Sequence, residues 1–119
     1  MKENILKEKS KAFAIRIIKL YQHLSDEKRE FVISKQLLKS GTSIGANIRE
    51  AEFAESKPDF IHKLSISQKE TNETIYWLEL LAETNYLNSQ AFESLNNDAV
   101  ELIKLVTSSI KTAKANINL

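Results

Sequence analysis

The chain has 119 residues, 42% of them hydrophobic, and its 17 basic and 16 acidic residues leave a formal net charge of +1. This length and apolar content suit one domain, residues 1–119, around a single buried core. Two glycines, one proline and no cysteine exclude a disulfide framework, a thiolate metal site and the turn-rich architecture of small sandwiches and barrels.

The first predicted helix covers about residues 4–24. One side of it carries a core stripe: Leu6, Ser10, Phe13, Ile17, Leu20 and Leu24. The other sides carry the only local excess of positive charge in the chain: Lys7, Lys9, Lys11, Arg16 and Lys19. Such residues usually keep a helix face in water, but they are also the one feature that favours nucleic-acid binding.

The second predicted helix covers about residues 27–55 and has two stripes. The first is apolar and suits a core: Ile33, Leu37, Ile44, Ile48 and Ala51. The second is polar yet nearly uncharged: Gln36, Ser40, Ser43, Asn47 and Glu50. Because water-facing helix surfaces are usually rich in Lys, Glu and Arg, this second stripe predicts contact with more protein or a buried polar network. Two glycines, Gly41 and Gly45, predict a close approach by another helix, which would offset their low helix propensity.

The third predicted helix covers about residues 57–84 and also has two stripes. Its core stripe is Phe60, Leu64, Ser67, Thr71, Thr74, Leu78 and Leu81. Its second stripe mixes acidic and apolar residues: Ile66, Glu70, Glu73, Trp77 and Leu80. We expect Glu70 or Glu73 to accept hydrogen bonds from the amides of the second helix. We interpret Trp77 as an interface anchor, with base stacking as the alternative.

The fourth predicted helix covers about residues 89–115 and has one ordinary core stripe, which runs from Phe92 to Ala113. Four long helices with short connections predict an all-α, antiparallel up-down-up-down four-helix bundle. One stripe per helix suffices for its core. The surplus stripes on helices two and three therefore predict that the chain associates with copies of itself.

No motif for catalysis or cofactor binding is present. The sequence has no nucleophile elbow, phosphate loop or dinucleotide-binding glycine pattern. A carboxylate-bridged metal centre made from Glu50, Glu70 and Glu73 would need two Glu-x-x-His pairs, and the chain offers only His62 near a carboxylate. We therefore predict no metal, no cofactor and no enzymatic activity. Since no segment is long and apolar enough to cross a bilayer, we also predict a cytoplasmic protein without membrane contact.

Two blocks of the sequence carry a family resemblance. Residues 33–51, ISKQLLKSGTSIGANIREA, and the segment from Asp59 to Leu78 resemble a bacterial four-helix-bundle family first noticed as reading frames in intervening sequences of large-subunit ribosomal RNA. The resemblance implies a ring-like homo-oligomer, with a pentamer favoured. It also implies kinship to the accessory variability protein of diversity-generating retroelements, a strongly basic pentamer that binds nucleic acid and a reverse transcriptase.

Two functional hypotheses follow. The first is a non-enzymatic, homo-oligomeric helical scaffold that binds its own copies and other proteins. The second is an RNA- or DNA-binding accessory protein that uses the basic outer surface of the first helix.

Overall fold

The chain forms four helices in a computed structural model, which describes the backbone of residues 2–117 and the side chains of residues 5–116. The helices are α1 (Lys2–Asp26), α2 (Ile33–Ala51), α3 (Lys57–Glu83) and α4 (Ser89–Ile117). Each helix packs against the next one, and α4 returns to α1. Lys7, near the start of α1, pairs with Glu52, just beyond the end of α2. Along α4 the partners of α1 run in reverse order, with Lys9 paired to Glu101 and Arg16 to Asp98. Neighbouring helices are therefore antiparallel, and the predicted up-down-up-down bundle is confirmed.

The core is built from the stripes that the sequence predicts. Fully or almost fully buried side chains come from every helix, for example Phe13, Ile44, Leu78 and Val106. Four members of the predicted stripes lie near the ends of the bundle and are only half-buried: Leu20, Ile33, Phe60 and Phe92. Over the described residues, none of the helices combines the length and hydropathy that a membrane span needs.

Close packing between α1 and α2 explains the glycines of α2. A methyl group added to Gly45 would lie 3.2 Å from the hydroxyl oxygen of Ser10, and Gly41 lies even closer to α1. Ser10 itself is buried and donates a hydrogen bond to the carbonyl oxygen of Lys7. The predicted close helix approach is confirmed, and the partner is α1 of the same chain.

The predicted start of α2 is wrong by six residues, since the helix begins at Ile33 rather than near residue 27. Beyond Asp26 the chain turns, with Arg29 in the left-handed region at φ 56° and the amide of Glu30 donating to the carbonyl oxygen of Leu24. The Glu30 carboxylate then accepts hydrogen bonds from the first amides of α2. The side chain that caps α2 is therefore this glutamate.

The other helix ends follow the sequence more closely. The α2 helix stops at Ala51, four residues before the predicted end, and α3 begins after Ser56, whose hydroxyl accepts a hydrogen bond from the amide of Asp59. Pro58 occupies the first turn of α3, where its missing amide hydrogen costs nothing. Asn88 caps α4 by accepting from the amide of Ala91.

Candidate functional site

Buried hydroxyl groups hold α2 and α3 together. The hydroxyl oxygens of Ser40 and Thr74 are 2.9 Å apart, and both side chains are almost fully buried. Ser67 donates a 2.7 Å hydrogen bond to the carbonyl oxygen of Ile44. These contacts let polar side chains enter the core without unpaired groups. Ser40 thus belongs to a polar network inside the subunit, and its side chain does not reach the outer surface.

The rest of the polar α2 stripe lies at the outer edge of the contact between α2 and α3, which we call the α2–α3 seam. Ser43 and Asn47 are half-buried, and both make hydrogen bonds within α2: Ser43 donates to the carbonyl oxygen of Lys39, and Asn47 to that of Ser43. Gln36 is exposed. Within the described residues, the amide of Asn47 donates to the preceding turn of its own helix rather than to Glu70 or Glu73, and acceptance of its second hydrogen by either glutamate stays a prediction.

Glu50 marks the end of the same stripe and pairs across the seam. Its carboxylate lies 3.0 Å from the ammonium group of Lys63, and this hydrogen bond raises the pKa of Lys63. Both groups are accessible to water, so the pair contributes little to stability, but it records the register of the two helices. Lys63 lies outside the stripes predicted for α3, and the opposite charges at positions 50 and 63 are the signal in the sequence for this pair.

Glu70, Glu73 and Trp77 form the matching edge of α3. All three are half-buried, and the indole nitrogen of Trp77 donates a 3.1 Å hydrogen bond to the Glu73 carboxylate. The ring of Tyr76, which is 52% exposed, lies 5.1 Å from the Trp77 ring. The pKa of Glu70 is raised by burial and by the negative charge of Glu73, against the opposing effect of Lys69 and Lys39.

The two surplus stripes meet on one face, which we call the α2–α3 outer face and define as Gln36, Ser43, Asn47, Glu50, Ile66, Glu70, Glu73 and Trp77. Three contacts give the antiparallel register: Glu50 with Lys63, Ile44 with Ser67, and Ser40 with Thr74. Both stripes advance by alternating steps of three and four residues, so they stay in register over their length. At this register Asn47 is level with Ile66 along the bundle axis, Ser43 with Glu70, and Gln36 with Trp77. Within the part of the chain that the structure describes, no other helix covers this face.

The basic residues of α1 do not form one uniform positive surface. Arg16 lies 2.6 Å from Asp98 of α4 and also contacts Ser94. Lys7 and Lys9 likewise pair with acidic residues of the neighbouring helices, as described above. Lys11 and Lys19 are exposed, and neither makes a salt bridge with a described residue. Three of the five predicted residues therefore connect α1 to its neighbours, and two remain open to solvent.

Among the side chains of residues 5–116, no group of three or more His, Asp or Glu residues comes close enough to hold a metal ion. Glu50 and His62 do not converge with Glu70 and Glu73 into such a group. An open groove of about 410 Å³ at the α2–α3 turn is lined mainly by small and apolar residues, including Ala51, Phe60 and Ala113.

A known protein family matches most of the chain. The match covers residues 2–108, and the family is described as 23S rRNA-intervening sequence protein. The chain belongs to this family. The family resemblance in residues 33–78 is thereby confirmed, and the match extends over all four helices.

A solved structure agrees with this membership. It is a crystal structure of a protein of unknown function from the S23 ribosomal protein family of Bacteroides thetaiotaomicron. The two sequences are 59% identical, the match covers 93% of this chain and 99% of the other, and the TM-score is 0.92. Among curated proteins no match was found. The family and this neighbour carry no indication of an enzyme.

Proposed function

We propose that this protein is a non-enzymatic scaffold that assembles with copies of itself through the α2–α3 outer face. The observation that carries the proposal is the meeting of both surplus stripes, in register, on one face. Trp77 there is half-buried at an unpartnered surface, and buried aromatic residues are typical anchors of protein interfaces. A ring, with a pentamer favoured by the family resemblance, is the assembly that we expect.

The polar groups of this face are suited to an interface. Ser43 and Trp77 have their side-chain donors paired within the subunit, and Asn47 donates one of its two amide hydrogens to Ser43. A second copy that covers this face therefore needs to supply an acceptor only for the other amide hydrogen of Asn47. Glu70 already bears part of the cost of leaving water, as its raised pKa shows. Contact with a second copy would therefore demand less additional desolvation here than at a fully hydrated charged surface.

The test of the scaffold proposal is the solution mass. We expect light scattering and native mass spectrometry at micromolar concentration to give a multiple of the mass of one chain. Ser43→Arg places a bulky charge in the middle of the face without disturbing the core, and should shift the protein to monomer with unchanged helix content. Asn97→Arg, at an exposed position of α4, is the matched control. A monomeric wild-type protein would overturn the proposal. A fully assembled Ser43→Arg variant would show that copies meet through a face other than the α2–α3 outer face.

A second candidate function is nucleic-acid binding through α1. It is supported by the exposed Lys11 and Lys19 and by the family description, which names 23S rRNA. A salt-titrated shift assay with structured RNA and duplex DNA tests it, because phosphate contacts weaken steeply with salt. Wild type should bind more tightly than Lys11→Glu/Lys19→Glu at low salt. An absence of binding at low salt would exclude this function. Kinship to the accessory variability protein stays a prediction.

A further inference from the structure

The open groove at the α2–α3 turn adjoins a smaller and more enclosed cavity of about 20 Å³. Four residues line both spaces: Ala51, Glu52, Phe60 and Ser109. Three buried core residues, one each from α1, α2 and α3, complete the wall of the cavity: Leu6, Ile48 and Leu64. We call the groove and the cavity together the end groove, because they lie at the bundle end where α2 and α4 finish and α3 begins.

Small side chains leave the end groove open. Ala51 and Ala113 are buried at the last turns of α2 and α4, whereas the preceding turns of the same stripes carry larger side chains such as Ile48 and Ile110. Atoms at the wall of an open space lack the van der Waals contacts that a filled core would give them. An apolar molecule that entered the end groove would restore these contacts and would leave water at the same time.

The hydroxyl group of Ser109 gives the end groove an unpaired polar atom. Ser109 is 8% exposed, and its oxygen has no hydrogen-bond partner among the described residues. Several other helical hydroxyls donate to the carbonyl oxygen four residues earlier, as those of Thr71 and Thr112 do. Ser109 makes no such bond in the described part of the chain, so its donor can serve a molecule in the end groove.

A single water molecule is a poor partner for this hydroxyl. The inner cavity is larger than the roughly 10–15 Å³ that one water needs, but a buried water usually makes about three hydrogen bonds. Of the described side chains at the cavity wall, only those of Ser109 and Glu52 are polar, and Glu52 already pairs with Lys7. An apolar molecule with one hydrogen-bond acceptor suits this wall better.

The charged residues of the end groove favour a neutral molecule. Glu52 lines both the groove and the cavity, so an anion there would meet a carboxylate of the same sign. A cation would compete with Lys7 for that carboxylate. Lys57 lines only the outer groove and is exposed to water. Because the inner wall is otherwise apolar, a charged group placed there would lose its hydration without gaining a full set of partners.

We propose that the end groove binds a neutral, mainly apolar small molecule whose carbonyl oxygen accepts a hydrogen bond from the Ser109 hydroxyl. The apolar part of the molecule lies against Phe60, Ala51 and Ala113. The groove volume of about 410 Å³ is within the range of small-molecule sites. The site shares no residue with the α2–α3 outer face, so this proposal is independent of self-association.

Acetophenone and ethylbenzene are matched probes, because the two molecules have nearly the same shape and only acetophenone has a carbonyl oxygen. Titration of isotope-labelled protein, followed by NMR chemical shifts, measures both dissociation constants. Wild type should bind both probes, with shifts at the residues of the end groove. Ser109→Ala should weaken acetophenone binding about fivefold to tenfold, since one hydrogen bond is lost, and should not weaken ethylbenzene binding. Because we expect this variant to be more stable than wild type, unfolding would not account for the loss.

Two further variants control the experiment. Ala54→Phe places a large ring in the outer groove at a half-buried position beyond the end of α2, and should weaken both probes about tenfold or more. Ser65→Ala removes a hydroxyl that pairs with the carbonyl oxygen of Ile61 outside the end groove, and should change neither dissociation constant. Failure of wild type to bind acetophenone at millimolar concentration would overturn the proposal. Equal effects of Ser109→Ala on both probes, or undiminished binding to Ala54→Phe, would overturn it as well.

Discussion

Gly41 of α2 lies so close to Ile17 of α1 that a methyl group added to the glycine would come within 2.8 Å of Ile17 Cγ2. Ile17 is completely buried and branched at Cβ, and such a side chain strongly prefers one χ1 rotamer in a helix. This contact sets the distance between α1 and α2. It also explains why a residue with poor helix propensity occupies the middle of α2.

Gly41→Ala should destabilise the protein although alanine favours helices. The propensity gain is about 1 kcal/mol, and overpacking of a tight core costs about 1–3 kcal/mol, so we expect a net loss of about 1 kcal/mol. Urea denaturation followed by circular dichroism measures it. Gly45→Ala should lose less, because its new methyl group would meet the Ser10 hydroxyl at 3.2 Å. In an Ile17→Ala background the cost of Gly41→Ala should shrink, and strict additivity would contradict the steric explanation.

Glu30→Ala should destabilise the start of α2. Burial alone would raise the pKa of Glu30, but hydrogen bonds from the amides of Ser34, Ile33 and Val32 outweigh it and leave the pKa below its ordinary value. Loss of a helix cap costs about 1 kcal/mol. Glu27→Ala, in the same turn but outside the cap, is the matched control and should change little.

The effect of Glu30 should depend on pH in one direction. Because the folded state lowers the pKa of this carboxyl, its contribution to stability is present above the ordinary value of 4.5 and is lost as the pH falls through the folded-state pKa. Denaturation at pH 7 and near pH 3 should therefore show a gap between wild type and Glu30→Ala that narrows in acid. A gap that stays constant would show that the carboxylate charge has no role in the cap.

Glu70→Gln should stabilise the fold at neutral pH, whereas Glu30→Ala should destabilise it. The folded state raises the pKa of Glu70, so its carboxylate opposes folding above that pKa, and protonation relieves the penalty as the pH falls towards 4.5. The advantage of Glu70→Gln should thus be largest at pH 7 and disappear in acid. Thermal melts at fixed protein concentration measure it, with the exposed Glu79→Gln as control. A neutral or harmful effect at pH 7 would refute this account.

Ser109→Ala should stabilise the protein by about 1 kcal/mol. The hydroxyl oxygen of Ser109 is buried and has no hydrogen-bond partner among the described residues. Such a group loses its hydrogen bonds to water on folding and gains none in the folded protein. Ser67→Ala is the informative contrast, since Ser67 donates to the carbonyl oxygen of Ile44. It should destabilise by about 1 kcal/mol. If Ser109→Ala and Ser67→Ala shifted the melting temperature equally and in the same direction, the difference that we infer between an unpaired and a paired serine would be contradicted.

The limits of prediction from sequence are clearest along α2. The spacing of Leu37, Ile44 and Ile48 identifies the buried side, because helical periodicity depends only on the helix itself. The same reasoning groups Ser40 with Ser43 and Asn47, yet Ser40 faces Thr74 in the core and the other two lie at the outer edge. What separates Ser40 from the other two is which residues of α2 the neighbouring helix α3 covers. Periodicity along α2 carries no information about the position of α3.

The sequence by itself determined the four helices, their inner stripes, the close approach at the glycines and the existence of surplus stripes on α2 and α3. These features follow from local backbone preference and from the need to bury apolar area. Only the tertiary structure decided that Glu30 caps α2, that Arg16 is paired with Asp98, and that both surplus stripes meet on one face. Those relationships depend on the rotation and axial register of each helix against its neighbours, which packing of the whole bundle sets.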